Sequence, residues 1–230
     1  MNRIYKNRSD AGRVLADRLE DHSRDKNLIV LALPRGGIPV GYEIATAFNV
    51  PMDVFLVRKL GLLGHEELAM GAIASGGVRV LNESLIRALQ VRPETIELVA
   101  RKEQAELERR EEAFRGSRPF PQLEQRNVIL VDDGLATGST MRAAIEAVRQ
   151  QKPQRLIVAV PVGAVESCQK IEPLVDELVC PLQPANFMAV GQWYDDFSQI
   201  EDEEVRELLD RVWEKQPRFP KESNQFHPKT

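Results

Sequence analysis

A chain of 230 residues is the size of one large domain, or of one domain with an appendage. Hydrophobic residues make up 43%, enough for a substantial core, and 29% are charged, as expected of a soluble protein with no apolar run long enough to span a bilayer. The net charge of −4 gives no sign of a general nucleic-acid surface, so any phosphate this protein binds must be held by a local site.

The opening residues, MNRIYKNRSDAGRV, lack the apolar stretch of a secretory signal. Cys168 and Cys180 stand in no metal-ligand spacing. Both features point to a reduced, cytoplasmic setting, with the two thiols as buried small side chains. Ser9 or Asp10 can cap a first helix whose apolar positions Val14, Leu15 and Leu19 share one face. LIVLALP, from Leu28, is a short continuous apolar run of the kind a fully buried strand carries. Pro34-Arg35-Gly36-Gly37 breaks it, and PVGYEIATAFN follows as a helix. MDVFLV predicts a second strand ending on Arg58-Lys59, and GAIA and VRVL, on either side of Ser75-Gly76-Gly77, predict a hairpin. NVILVDD is the next buried strand and STMRAAIEAVRQ the helix after it. LIVAVPV and DELVC supply further strands, with NFMAV a weaker candidate. Strands alternating with helices predict an α/β fold, a mostly parallel sheet flanked by helices. Ligands of such sheets sit beyond the carboxyl ends of the strands. Arg35, Arg58 and Asp132 fall at such ends, so the pattern gathers them around one crevice.

Arg92–Gly116 interrupts the alternation. Pro93 suits a first helical turn and Gly116 a stop, and Glu97/Arg101 and Glu106/Arg110 are spaced to pair along an exposed helix. Its apolar stripe, Ile96, Ala100, Leu107 and Phe114, is narrow. Two readings stand, a solvated helix flanking the domain or a contact to a partner subunit. Residues 1–215 are expected to form a single domain with a helical insertion over 83–116; residues 216–230, polar and proline-containing, are expected to be a disordered tail.

The richest segment is Val128–Thr140, VILVDDGLATGST. Gly134 and Gly138 let the backbone turn sharply and approach a ligand. A helix starting near Ser139 offers free N–H groups and the positive end of its dipole to a phosphate, and Thr137, Ser139 and Thr140 add hydroxyl donors. Asp132 and Asp133 repel phosphate. They are suited instead to accept from neutral hydroxyls such as a ribose diol, or to help hold Mg²⁺, partly through water. A sugar phosphate meets both demands. Competing loops fit worse: Gly138 is followed by Ser139, with no P-loop lysine, and Ile38 stands where a dinucleotide fingerprint needs glycine.

VILVDDGLATGST resembles the signature of type I phosphoribosyltransferases, an apolar strand, two acids and a Thr-Gly-x-Thr turn. The resemblance implies that Ala136–Thr140 cradle a 5-phosphate while Asp132 and Asp133 contact the ribose hydroxyls. Arg35, Gly36 and Gly37 resemble the family's pyrophosphate loop, and Arg58-Lys59 the basic pair that opens its flexible catalytic loop, here Leu60–Gly77 with the hairpin behind it. The similarity covers roughly residues 28–190. It is nearest to stand-alone bacterial members of unassigned substrate, which share the DAGRVLADRL start and the long inserted helix. The expected activity is Mg²⁺-dependent transfer of 5-phosphoribosyl from phosphoribosyl pyrophosphate to a nitrogenous base or amine, by a homo-oligomer, expected as a dimer.

Displacement at C1 builds positive charge on the sugar and negative charge on the leaving pyrophosphate. Arg35, Arg58 and Lys59 are the expected cations, with Asp132 and Asp133 as the other catalytic residues. Leu60–Gly77 is the expected cover against water; His65 and Glu66 ride on it, either as solvated residues or as entrants to a closed site. Two departures bear on the acceptor. Ala136 stands where hypoxanthine-guanine enzymes carry an aspartate, and Asn186 where 6-oxopurine enzymes use a lysine, in a stretch (PANFMAVGQWYDDFSQ) that resembles their purine-binding segment. Asn186, Phe187 and Trp193 are the acceptor-binding candidates, with Tyr194 a further stacking candidate; packing against the core is the competing reading for the aromatics. A non-catalytic sensor of phosphoribosyl pyrophosphate or a nucleotide is the alternative function. Such a sensor has no need of the pyrophosphate and basic-pair elements that this chain keeps.

Overall fold

The structure is a computed structural model that describes residues 5–62 and 65–215. The first helix, α1 (Arg8–Arg18), is capped by Asn7, whose side chain accepts from the Asp10 N–H at 2.9 Å; the cap expected at Ser9 or Asp10 lies inside the first turn. Asp10 there complements the helix dipole.

Strand β1 (Leu28–Ala32) is buried at every position. Alternate side chains leave opposite faces of a strand, so a run apolar throughout must be covered on both sides. Val30 and Ala32 join a core with Ile129, Val131, Leu15 and Ile44, while Ile29 and Leu31 join another with Val128, Leu130, Ala144 and Val148. Helix α2 (Gly37–Phe48) leads into β2 (Met52–Val54). β6 (Asn127–Val131), α5 (Ser139–Gln150), β7 (Arg155–Ala159), α6 (Val165–Ile171) and β8 (Glu177–Val179) complete the α/β alternation, and α7 (Asp202–Glu214) closes the described chain. The sheet is parallel with order β2-β1-β6-β7-β8, and Leu31 lies opposite Leu130.

The run MDVFLV is not one strand. The chain leaves the sheet after Val54 and starts β3 (Val57–Leu62), which pairs antiparallel with β4 (His65–Ala74), itself paired with β5 (Val78–Leu81). Buried Phe55 and Leu56 bridge the two sheets: the Phe55 N–H donates to Ala32 O, and the Leu56 N–H to Ser75 Oγ. The expected hairpin forms at Ser75-Gly76-Gly77, where both glycines have positive φ (83° and 73°). Much of Leu60–Gly77 is therefore strand rather than open loop. NFMAV is not a strand either; β8 ends the sheet, and Phe187 and Val190 pack instead on buried Tyr5, Val162 and Tyr194.

After α3 (Glu83–Ala88) comes α4 (Pro93–Arg115), bounded by Pro93 and Gly116 as the sequence predicts. It packs on β3, β4 and α7. Ile96, Ala100, Leu107 and Phe114 are all buried, so the stripe packs into the core of this chain, while most other positions of the helix are exposed, as a solvated flanking helix requires. Glu106 pairs with Arg110, but Glu97 pairs with Arg79 of β5 rather than with Arg101. At its end Arg115 donates to Asp53 Oδ1 at 3.0 Å and to Val54 O at 2.9 Å, tying α4 to the edge strand. Residues 216–230 and the side chains of His65 and Glu66 lie outside the described residues.

Candidate functional site

Parallel pairing of β1 with β6 puts their carboxyl ends side by side, and the Leu33 N–H donates to Val131 O at 2.9 Å. The turn 34–37 consequently abuts Asp132-Asp133. A Cβ on Gly36 would lie 1.9 Å from Asp133 Oδ2, and one on Gly37 would lie 2.7 Å from Val131 O. Only glycine permits so close a passage of the backbone. The Pro34–Arg35 peptide is cis. Arg35, partly exposed, lies 3.7 Å from both Glu201 and Asp202, pairs that solvent screens.

The acidic pair is half-buried. The Asp133 N–H donates to Asp132 Oδ1 at 2.8 Å. Burial, with the neighbouring Asp133 charge, pushes the Asp132 carboxyl well above the usual range; burial also raises Asp133, against the opposing pull of Arg8. Arg8 Nε donates to Asp133 Oδ2 at 2.7 Å, and Tyr194 OH donates to Asp133 O at 2.6 Å.

Beyond the acids, Gly134 runs beneath Val190, whose Cγ1 would lie 2.4 Å from an added Cβ. The next residues are pinned by the chain after β7. Leu135 N–H donates to Val162 O, Ala164 N–H to Leu135 O, and Ser167 Oγ to Ala136 O at 2.5 Å. Gly138 (φ 74°) turns the chain into α5 with no side-chain cap, and Thr137, Ser139 and Thr140 are exposed around that turn. An uncapped first turn keeps N–H donors for an anion.

Lys59 Nζ donates to Ser139 Oγ at 2.9 Å, bringing β3 onto this loop. Arg58, next along the strand, faces the other way and is held by Glu103 of α4 at 2.6 Å. The pair expected together is therefore split, Lys59 at the loop and Arg58 away from it. A cleft of about 640 Å³ opens beside Lys59, lined by Asn82, Arg87, Arg142 and Glu146 among others, and does not include the acidic pair. Asn186 is exposed, while Phe187 and Trp193 are half-buried and packed on the Tyr5–Tyr194 cluster. Tyr194 is buried between the Tyr5 and Phe197 rings and has no face free for a ligand, which corrects its reading as a stacking residue.

Arg8 and Ser167 escaped the sequence reading, and so did the hydrogen bond from Tyr194 OH to Asp133 O. Arg8 lies 125 residues from the acid it contacts, and no local pattern links them. The one available signal was a cation in the first turn of a helix, where the dipole disfavours it.

The parallel α/β sheet thus carries a glycine-rich, hydroxyl-rich turn beside two acids at its carboxyl edge. The chain belongs to the phosphoribosyl transferase domain family, whose sequence profile matches residues 59–192. Two proteins of Mycobacterium tuberculosis (strains CDC 1551 and H37Rv), provisionally named phosphoribosyl transferases, are each 44% identical over 210 residues, 91% of this chain. The chain spans about half the length of these curated relatives, 47%. A crystal structure of a protein from Thermus thermophilus is similar with a TM-score of 0.83 at 37% identity, covering 91% of this chain and 99% of that one. Arg8 and the turn 34–37 lie outside the residues matched by the family profile. Among the described residues, no helix is long and apolar enough to cross a membrane.

Proposed function

We propose that this protein transfers a 5-phosphoribosyl group from phosphoribosyl pyrophosphate to a nitrogenous base or amine, releasing pyrophosphate. The observation that carries the reading is convergence. Gly36 against Asp133, and Lys59 hydrogen-bonded to Ser139, bring three separate segments to one sheet edge.

In this reading the loop 136–140 seats the 5-phosphate through its N–H and hydroxyl donors, and Asp132 and Asp133 accept from the ribose hydroxyls. Arg35, Gly36, Gly37 and Lys59 receive the pyrophosphate. As the C1–oxygen bond breaks and the nitrogen bonds to C1, Lys59 and Arg35 offset the charge gathering on the leaving group. Arg58 takes part once its ion pair with Glu103 opens. Asn186 and Trp193, on the segment that crosses Gly134 through Val190, lie at the acceptor end.

The donor set fits Mg²⁺. Two adjacent carboxylates, both pushed upward by burial, are eased by a cation; among the described residues they have no third acidic, Cys or His ligand grouped with them. Such a site suits an ion that keeps waters and shares substrate oxygens. When bound, Mg²⁺ supplies charge neutralisation of the pyrophosphate.

The test is pyrophosphate release from phosphoribosyl pyrophosphate and Mg²⁺ with a panel of bases and amines. Acceptor-dependent release supports the proposal, and slow hydrolysis alone overturns it. D132N/D133N is expected to abolish calorimetric binding of phosphoribosyl pyrophosphate, and unchanged affinity refutes the donor site.

A further inference from the structure

We propose that Arg8 is a positioning residue for the sugar. It fixes the Asp133 carboxylate so that this acid meets a ribose hydroxyl, an inference that rests on the function proposed above.

Five contacts carry it. Arg8 Nε donates to Asp133 Oδ2 at 2.7 Å, with side-chain exposures of only 9% and 15%. The same guanidinium donates to Ser198 O at 2.8 Å and stacks 3.9 Å from the centre of the Phe197 ring. Gly36 backs the same oxygen, since a Cβ there would fall 1.9 Å from Asp133 Oδ2. Tyr194 OH holds the Asp133 carbonyl. The carboxylate is thus wedged between a guanidinium and a backbone, with only Oδ2 taken by Arg8.

A fork held on three sides is a precise lever on a carboxylate, because its planar donors allow few orientations. Two adjacent acids left to themselves turn apart, since their charges repel. Arg8 opposes that turn for Asp133. Stability alone is a poor reason for this ion pair: a buried pair rarely outperforms apolar side chains of the same volume, and a cation in the first turn of α1 opposes the dipole. What the pair does supply is orientation at a site that needs a hydroxyl acceptor at one angle.

The experiment compares wild type, R8K and R8Q in the full chain, each checked for folding by thermal melt. Two probes are titrated, ribose 5-phosphate and inorganic phosphate. R8Q is expected to weaken ribose 5-phosphate roughly ten- to hundredfold, the loss of a charge-assisted contact, while inorganic phosphate binds within about twofold of wild type. R8K is expected to recover part of the loss. Unchanged ribose 5-phosphate affinity in folded R8Q overturns the proposal, as does an equal loss for both probes, which marks a merely structural contact. Should R8Q not fold, F197A keeps the Arg8 charge and removes the ring that orients it; the same selective loss is expected, and equal affinity overturns the inference. Failure of the wild type to bind either ribose 5-phosphate or phosphoribosyl pyrophosphate refutes the proposed function itself, a result distinct from a null effect of R8Q.

Discussion

Lys59 Nζ donates to Ser139 Oγ at 2.9 Å across 80 residues of sequence, and through it the antiparallel hairpin sheet touches the start of α5. An ammonium beside an uncapped helix start concentrates positive potential where an anionic donor is proposed to sit. Lys59→Met is expected to lower the rate of pyrophosphate release about a hundredfold. Because Lys59 is exposed, unfolding free energy should change by less than about 0.5 kcal/mol. Stopped-time pyrophosphate assays and thermal melts check both parts; full activity in K59M removes Lys59 from the chemistry.

Gly36 admits no side chain. A Cβ would lie 1.9 Å from Asp133 Oδ2 and 2.4 Å from its Cγ, so Gly36→Ala must displace the carboxylate or the turn. Overpacking of this kind costs about 1–3 kcal/mol. Affinity for phosphoribosyl pyrophosphate should fall tenfold or more, since the displaced group is the proposed sugar acceptor. Calorimetry on the folded variant decides this, and wild-type affinity contradicts it.

Arg115 and Asp53 are both buried, and removing the cation strands the acid. Arg115→Met is expected to cost about 3–5 kcal/mol of stability at neutral pH, measured by urea unfolding. Burial, only partly countered by Arg115, pushes the Asp53 carboxyl up to about 6. The folded state therefore holds that proton more tightly than the unfolded chain, whose Asp titrates near about 3.9. The contribution of Asp53 is present in full below the unfolded value and is lost as pH rises through about 6. The Tm of the wild type should accordingly fall relative to that of D53N between pH 4 and pH 7. A constant difference contradicts the shift.

Helix α4 offers an internal control. Leu107 is 1% exposed and Leu98 is 61% exposed on the same helix. Leu107→Ala should destabilise by about 2–5 kcal/mol. Leu98→Ala should stay within about 0.5 kcal/mol. Chemical denaturation of the two variants distinguishes them, and equal losses mean that α4 is not seated by its stripe.

Much of the architecture was legible in local pattern. LIVLA and NVILV are apolar at nearly every position because the central sheet is covered on both faces, and STMRAAIEAVRQ coincides with α5 residue for residue. MDVFLV misled because β2 and β3 are joined by two buried residues, and buried linkers carry the same apolar signal as strands. NFMAV misled for a similar reason, its apolar residues serving the aromatic cluster around Tyr5 rather than a sheet.

Around the candidate site, the segment Val128–Thr140 carries its chemistry in contiguous residues. A phosphate turn is made of neighbouring N–H and hydroxyl groups, so spacing alone exposed it. The company it keeps is another matter. Strand β3 alternates its side chains, and only the packing of β3 between α4 and α5 sends Lys59 to Ser139 and Arg58 to Glu103. Arg8 reaches Asp133 because α1 and the turn at Phe197 close over the sheet edge from opposite ends of the chain. Contacts across that separation follow from how layers stack, for which the order of residues holds no local signature.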